Sequence, residues 1–307
     1  MRSNIFAGWA LALFLLPGIS VADFDTPEIP KNTPARPASG IAKTGLLWQR
    51  IDTREDQPKA LLYFPTLVQG AAVIYNLPGI HDPLCITGET LADIYSGRIT
   101  RWSDPHIVTT NPEVRLPGAR IRLMNRADEN GMSWLLSRYL TQVSGSWAAL
   151  FGASARPLWP TGQSVHNERQ MIAKVQATPY AVGFADFYSV RNQSVSRAAI
   201  QNRAGVCQMP SLESLAAAAT AAAPYLQFKS DLDAVDNATA GAYPITGFSG
   251  LIIPSYGKSD KQAERITDLL RYILTDGQKL AADSGYVALP PQLVELELQA
   301  LSLLRPH

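Results

Sequence analysis

The apolar residues of this chain fall in short runs that switch between two periods. Met132, Leu136, Leu140 and Val143 share one stripe of a 3.6-residue repeat and predict a helix over 131–143. Asn130 stands where an N-cap belongs. Just before it, 121–125 reads as a strand, and a polar turn from Asp128 to Gly131 joins the two. Further helices are expected at 90–96, closed by Gly97, at 170–175, and through the alanine-rich 211–223. The stripe Ile266, Leu269, Leu270, Ile273 predicts another over 259–275, followed by a helix ending near Gly285 and a last one over 292–304. Strands are expected at 46–51, 61–67, 71–76, 181–184 and 250–254, with Gln69-Gly70 separating the second from the third. Alternating short strands and helices predict an α/β fold with a largely parallel sheet.

The strand, turn and helix around Arg126 carry the candidate chemistry. A helix N-terminus presents unpaired N–H groups and the positive end of the helix dipole, which suits an anion. Arg126 adds a fixed fork of donors matched to a carboxylate or phosphate. The alternative is an ordinary capped helix beside a surface arginine. Other chemistries lack their residues. There is no glycine-rich dinucleotide turn between a strand and a helix, no P-loop lysine and no nucleophile elbow, so no cofactor is expected. His81, His106, His166 and His307 have no metal-ligand spacing. Ser133 near Asp128 is the one pair that suggests hydrolysis, and no histidine accompanies it; an enzyme is not expected.

Residues 1–22 read as a secretory signal peptide: Arg2, an apolar run from Ile5 to Leu16, and a small-residue site at Ser20-Val21-Ala22. The apolar run is too short for a comfortable membrane span, so no span is expected after cleavage, and the expected destination is the periplasm. The formal net charge is +1, and Arg2 accounts for it. A neutral mature chain argues against nucleic acid but not against one locally held anion. Residues 23–45 form a Pro-rich leader. An oxidising compartment would let Cys85 and Cys207 pair, but two buried thiols fit the sequence equally well.

Several segments together resemble the periplasmic phosphate-binding proteins of phosphate ABC transporters, the PstS type. They are Phe64-Pro65-Thr66, Ala72 through Gly79, the stretch from Gly88 to Trp102 with its Thr90-Leu91-x-Asp93-Ile94-Tyr95-x-Gly97-x-Ile99-x-x-Trp102 pattern, Asn111-Pro112, Arg126-Ala127-Asp128, Trp159 to Gly162, Gly183-Phe184, Tyr243 to Thr246, and Gly285 to Pro290. The resemblance runs from about Phe64 to the C-terminus. It implies a class II periplasmic-binding-protein fold, in which two α/β lobes joined by a hinge close on a ligand. Lobe 1 would be 46–76 plus 247–307 and lobe 2 would be 77–246, with crossings near Asn76-Leu77-Pro78 and Pro244-Ile245-Thr246.

The same resemblance implies the site. Arg126 matches the family's phosphate-binding arginine, and Asp128 the aspartate that orients it. The family's Ser-Gly-Thr turn falls on Asn130-Gly131-Met132. Gly131 keeps its N–H, Asn130 can donate through its amide, Met132 brings an N–H but no hydroxyl, and Ser133 offers one nearby. A lost hydrogen bond to a charged ligand costs about 1.5–3 kcal/mol. The family's opening strand-helix-strand unit is absent, so lobe 1 is truncated; Ser39-Gly40 and Asp52 or Asp56 are faint echoes of its ligand serine and aspartate. The implied function is capture of inorganic phosphate, or a related oxyanion, for an ABC permease. The alternative is a ligand-poor interaction or sensing module that binds another periplasmic protein.

Overall fold

The chain is described from a computed structural model over residues 41–44, 47–52, 59–80, 82–226, 234–236, 238–254 and 260–304. The expected signal peptide, most of the leader, Ser39-Gly40, Asp56, His81 and His307 lie outside the described residues. The described residues all belong to one structural unit, 37–307.

Strands β1 (Ile41–Thr44) and β2 (Leu47–Asp52) form an antiparallel pair that continues onto β3 (Lys59–Tyr75). The two runs expected as separate strands at 61–67 and 71–76 are one strand of 17 residues. Gly70 makes no turn. A Cβ there would collide with the Leu215 side chain, so the glycine serves close packing of helix on strand rather than a reversal. Along β3 the partners change. Residues Leu61 to Gly70 pair with β11 (Thr246–Pro254), and Ala71 to Tyr75 pair with β7 (Ala181–Asp186).

Between these strands the chain builds a second set of elements. β4 (Cys85–Ile86) is followed by α1 (Gly88–Ser96), α2 (Pro105–Thr109), β5 (Arg122–Arg126), α3 (Gly131–Val143) and α4 (Gly145–Leu150). Then come β6 (Gln163–Val165), α5 (Glu168–Ala177), β7, α6 (Phe187–Val190), β8 (Ser196–Arg197), β9 (Ala199–Gln201), β10 (Cys207–Gln208) and α7 (Leu212–Leu226). After β11, helices α8 (Asp260–Leu274), α9 (Asp276–Asp283) and α10 (Pro291–Ala300) pack on one another.

The main sheet runs β1-β2-β3-β7-β5-β6, with β11 and β8 also on β3; a smaller sheet runs β10-β9-β4. The expectation of a largely parallel sheet is corrected. Among the described residues every partner of β3 is antiparallel, and parallel pairing is confined to β7-β5-β6 and β4-β9. Parallel neighbours need a crossover, and helices lie in the connections from β5 to β6 (α3, α4), from β6 to β7 (α5) and, as α1 to α6, from β4 to β9. Cys85 and Cys207 form a disulfide joining the outer strands of the small sheet.

The helix ends follow their sequence signals. Thr87 caps α1, accepting from Thr90 N at 3.1 Å, and Gly97 closes it in the left-handed region at φ 80°. Leu135, Leu136, Tyr139 and Leu140 of α3 are buried, and the helix lies against β3, β7 and β11. Gly183 lacks the Cβ that would strike Met171, so α5 packs close on β7. Trp102, Trp147, Tyr95 and Phe184 complete the core.

Candidate functional site

β5 delivers Arg126 to the C-terminal edge of the sheet, buried to 6% exposure. Its backbone is pinned on both sides: Trp159 Nε1 donates to its carbonyl at 2.9 Å, and Ala127 N donates to Val165 O at 2.9 Å. The guanidinium forks onto Asp128, with Nε to Oδ1 at 2.7 Å and Nη2 to Oδ2 at 2.6 Å. Nη1 donates to Glu168 Oε2, and Glu168 Oε1 accepts from the backbone N–H of Asp186. Burial works against the Arg126 charge, but the Asp128 and Glu168 carboxylates outweigh it and hold the group above its ordinary value.

The turn after Asp128 is an N-cap. Asn130 Oδ1 accepts from Ser133 N at 2.8 Å, and its Nδ2 donates to Asp128 O and to Ser133 Oγ, both at 3.0 Å. The cap therefore ties the start of α3 to the residue that orients Arg126. Gly131 and Met132 open the helix, and first-turn N–H groups have no acceptor within it. Gly131 is exposed, and a Cβ on it would meet open space. Met132 is buried in the core, so it contributes a backbone N–H and no side chain. Ser133 is fully buried, with its hydroxyl inside the cap. The described residues give that hydroxyl no carboxylate or imidazole base.

The structure thus brings Arg126, Asp128, Asn130, Gly131 and Ser133 to one strand-turn-helix junction and sends the Met132 side chain elsewhere. Asp52 closes β2. Two residues that sequence reasoning missed complete the junction. Glu168 opens α5 directly after its N-cap Asn167, whose Oδ1 accepts from Gln170 N at 2.9 Å. Asp186 ends β7 and caps α6, with Oδ2 facing Ser189 N at 3.2 Å and Oδ1 unpartnered. Burial pushes the Glu168 carboxyl up, against the pull of the Asp186 N–H and Arg126. It pushes Asp186 to about 7, with Glu168 adding to the rise. The detectable signal was the repeat of one grammar: a strand, an Asn cap and a helix start occur at both 126–131 and 165–168.

From Asp186 the contacts lead across the partner exchange in β3. Tyr188 Oη donates to Val68 O at 2.8 Å and accepts from Val287 N at 2.9 Å. Its ring packs on Tyr286 at 4.5 Å between centroids, and Arg191 lies over both rings while donating to Gly285 O.

A strand-end arginine stands beside a capped helix start, in a sheet whose long strand changes partners midway. The profile of the PBP superfamily domain matches residues 46–277. The phosphate-binding protein PstS of Xylella fastidiosa (strain Temecula1) is 33% identical over 247 residues, covering 80% of this chain and 68% of that protein. The chain belongs to the PstS family of the PBP superfamily. Within that family, PstS of Methanocaldococcus jannaschii is also 33% identical, over 280 residues, 84% of this chain and 71% of that one. The solved phosphate-binding protein from Stenotrophomonas maltophilia shares the fold at a TM-score of 0.57 and 14% identity, over 78% of this chain and 70% of that chain. The PstS-family fold is the two-lobe α/β fold. Among the described residues, no helix is long and apolar enough to cross a membrane, and no group of His, Cys, Asp and Glu could hold a metal ion.

Proposed function

We propose that this chain is a periplasmic solute-binding protein that captures inorganic phosphate, or a related oxyanion, between two lobes for an ABC-type permease. The observation that carries the reading is Arg126, buried and held charged beside the open N–H groups of Gly131 and Met132. Three of the five guanidinium N–H groups are engaged by Asp128 and Glu168, which leaves two for an anion. The lobes, on this reading, are 46–76 plus 247–307 and 77–246, and Tyr188 of the second bridges to Val68 and Val287 of the first. Binding is its whole task; no residue is assigned to catalysis.

Isothermal titration of refolded, phosphate-free protein tests this. The expected result is one-to-one phosphate binding, lost in Arg126→Ala. Tight binding retained by that variant would remove Arg126 from the site. A second reading has two observations in its favour. Met132 stands where a hydroxyl would help hold the anion, and two carboxylates already neutralise the arginine. A flat titration on folded protein would support that reading, a ligand-poor interaction or sensing module.

A further inference from the structure

At the start of β5, the end away from Arg126, lies a cavity of about 480 Å³. That volume is within the range of small-molecule sites. Arg120 and Arg122 both line it. Exposure alternates along this stretch: Arg120 and Arg122 are exposed, Ile121 and Leu123 buried. The two arginines therefore stand on one side of an extended backbone, about 6.5–7 Å apart along it.

Neither guanidinium has a hydrogen bond, ion pair or ring partner among the described residues. A third arginine, Arg101, bridges the Arg120 backbone and donates to Gly118 O at 2.7 Å. Asp93 on α1 is taken by Arg98. Like charges gathered this closely repel one another, and no carboxylate of the cavity lining answers them. The rest of the lining is mixed: Ile99 and Leu123 are apolar, and Thr161 brings a hydroxyl.

We propose that this cavity is a second anion site, separate from Arg126, and that it takes a small organic diacid with two carboxylates on a hydrocarbon frame. Each guanidinium offers a planar fork to one carboxylate. The frame lies on Ile99 and Leu123. Inorganic phosphate has no apolar body for the lining and cannot place a separate carboxylate on each fork. The assignment does not depend on phosphate capture at Arg126.

Amide resonances of the labelled chain, followed during titration with benzene-1,4-dicarboxylate, test it; benzoate and inorganic phosphate serve as comparisons. Gly97 and Gly162 line the cavity and report on it. The diacid should shift both saturably and bind roughly tenfold more tightly than benzoate, the difference a second charge-assisted pair makes. The double variant R120Q/R122Q, altered at two exposed side chains, should lose that binding. R120K/R122K should keep part of it, and Arg126→Ala should keep all of it. No saturable shift at these glycines, equal binding of benzoate, equal shifts with phosphate, or full binding by a folded R120Q/R122Q chain would each overturn the proposal.

Discussion

Arg126 serves two roles at once. It is the candidate anion ligand, and it is also the cation that keeps Glu168 and Asp128 paired at a sheet edge. Removing it strips a partner from Glu168, whose charged form burial already disfavours. Arg126→Ala should therefore abolish phosphate binding and also cost about 2 kcal/mol or more of stability, measured by urea unfolding. Arg126→Lys keeps the charge but not the fork and should lose most of the binding with a smaller stability cost. Glu297 makes the complementary case. It is 2% exposed on the inward face of α10 with one unpartnered oxygen, and burial raises its carboxyl to about 8. A folded-state value above the unfolded one means stability fully present below about pH 4.5 and lost as the pH rises through 8. Asp186, raised to about 7, acts in the same direction. Glu297→Gln should thus be more stable than the parent above pH 8, by more than about 1 kcal/mol, with the gap closing towards pH 4. A gap that widened on acidification would contradict the burial argument.

At the scale of elements, local chemistry was legible and distant pairing was not. The helix over 131–143 and its Asn130 cap stand as the sequence predicts, because stripe and cap are read within a few positions. β3 was misread because the reason for Gly70 is Leu215, a contact made from another element. Glu168 was missed because the charge it meets, Arg126, lies 42 residues away. The Cys85–Cys207 pairing was undecidable for the same reason, spanning 122 residues. That span sets an expectation: closing a loop of this length is worth about 4–5 kcal/mol in the chain-entropy view. C85S/C207S should lower the thermal midpoint clearly while leaving the Arg126 junction, on other strands, able to bind. Tyr188→Phe tests the bridge across β3. It removes the donor to Val68 O and the acceptor for Val287 N, and should cost about 1–3 kcal/mol. Hydrogen exchange at Val287 should accelerate in step; unchanged protection there would mean the bridge holds nothing.

For the whole molecule, capture and stability are one equilibrium seen from two sides. A ligand that binds only the folded state stabilises it by RT ln(1 + [L]/Kd), about 2.7 kcal/mol at a hundredfold excess over Kd. In a chain of this size each kcal/mol moves the thermal midpoint roughly 2–4 °C. Saturating phosphate should therefore raise the midpoint by several degrees if the lobes close on the anion at Arg126, and sulfate at equal ionic strength shows how much is general salt. Arg126→Ala must abolish the phosphate increment, since its own cost appears equally with and without ligand. R120Q/R122Q must leave the increment intact, because those arginines stand at the opposite end of β5. An increment that survived in Arg126→Ala but vanished in R120Q/R122Q would move phosphate from the Arg126 junction to the cavity. An increment absent from the parent itself would leave the family's fold without the family's cargo, and would turn attention to what the Tyr188 bridge presents to another protein.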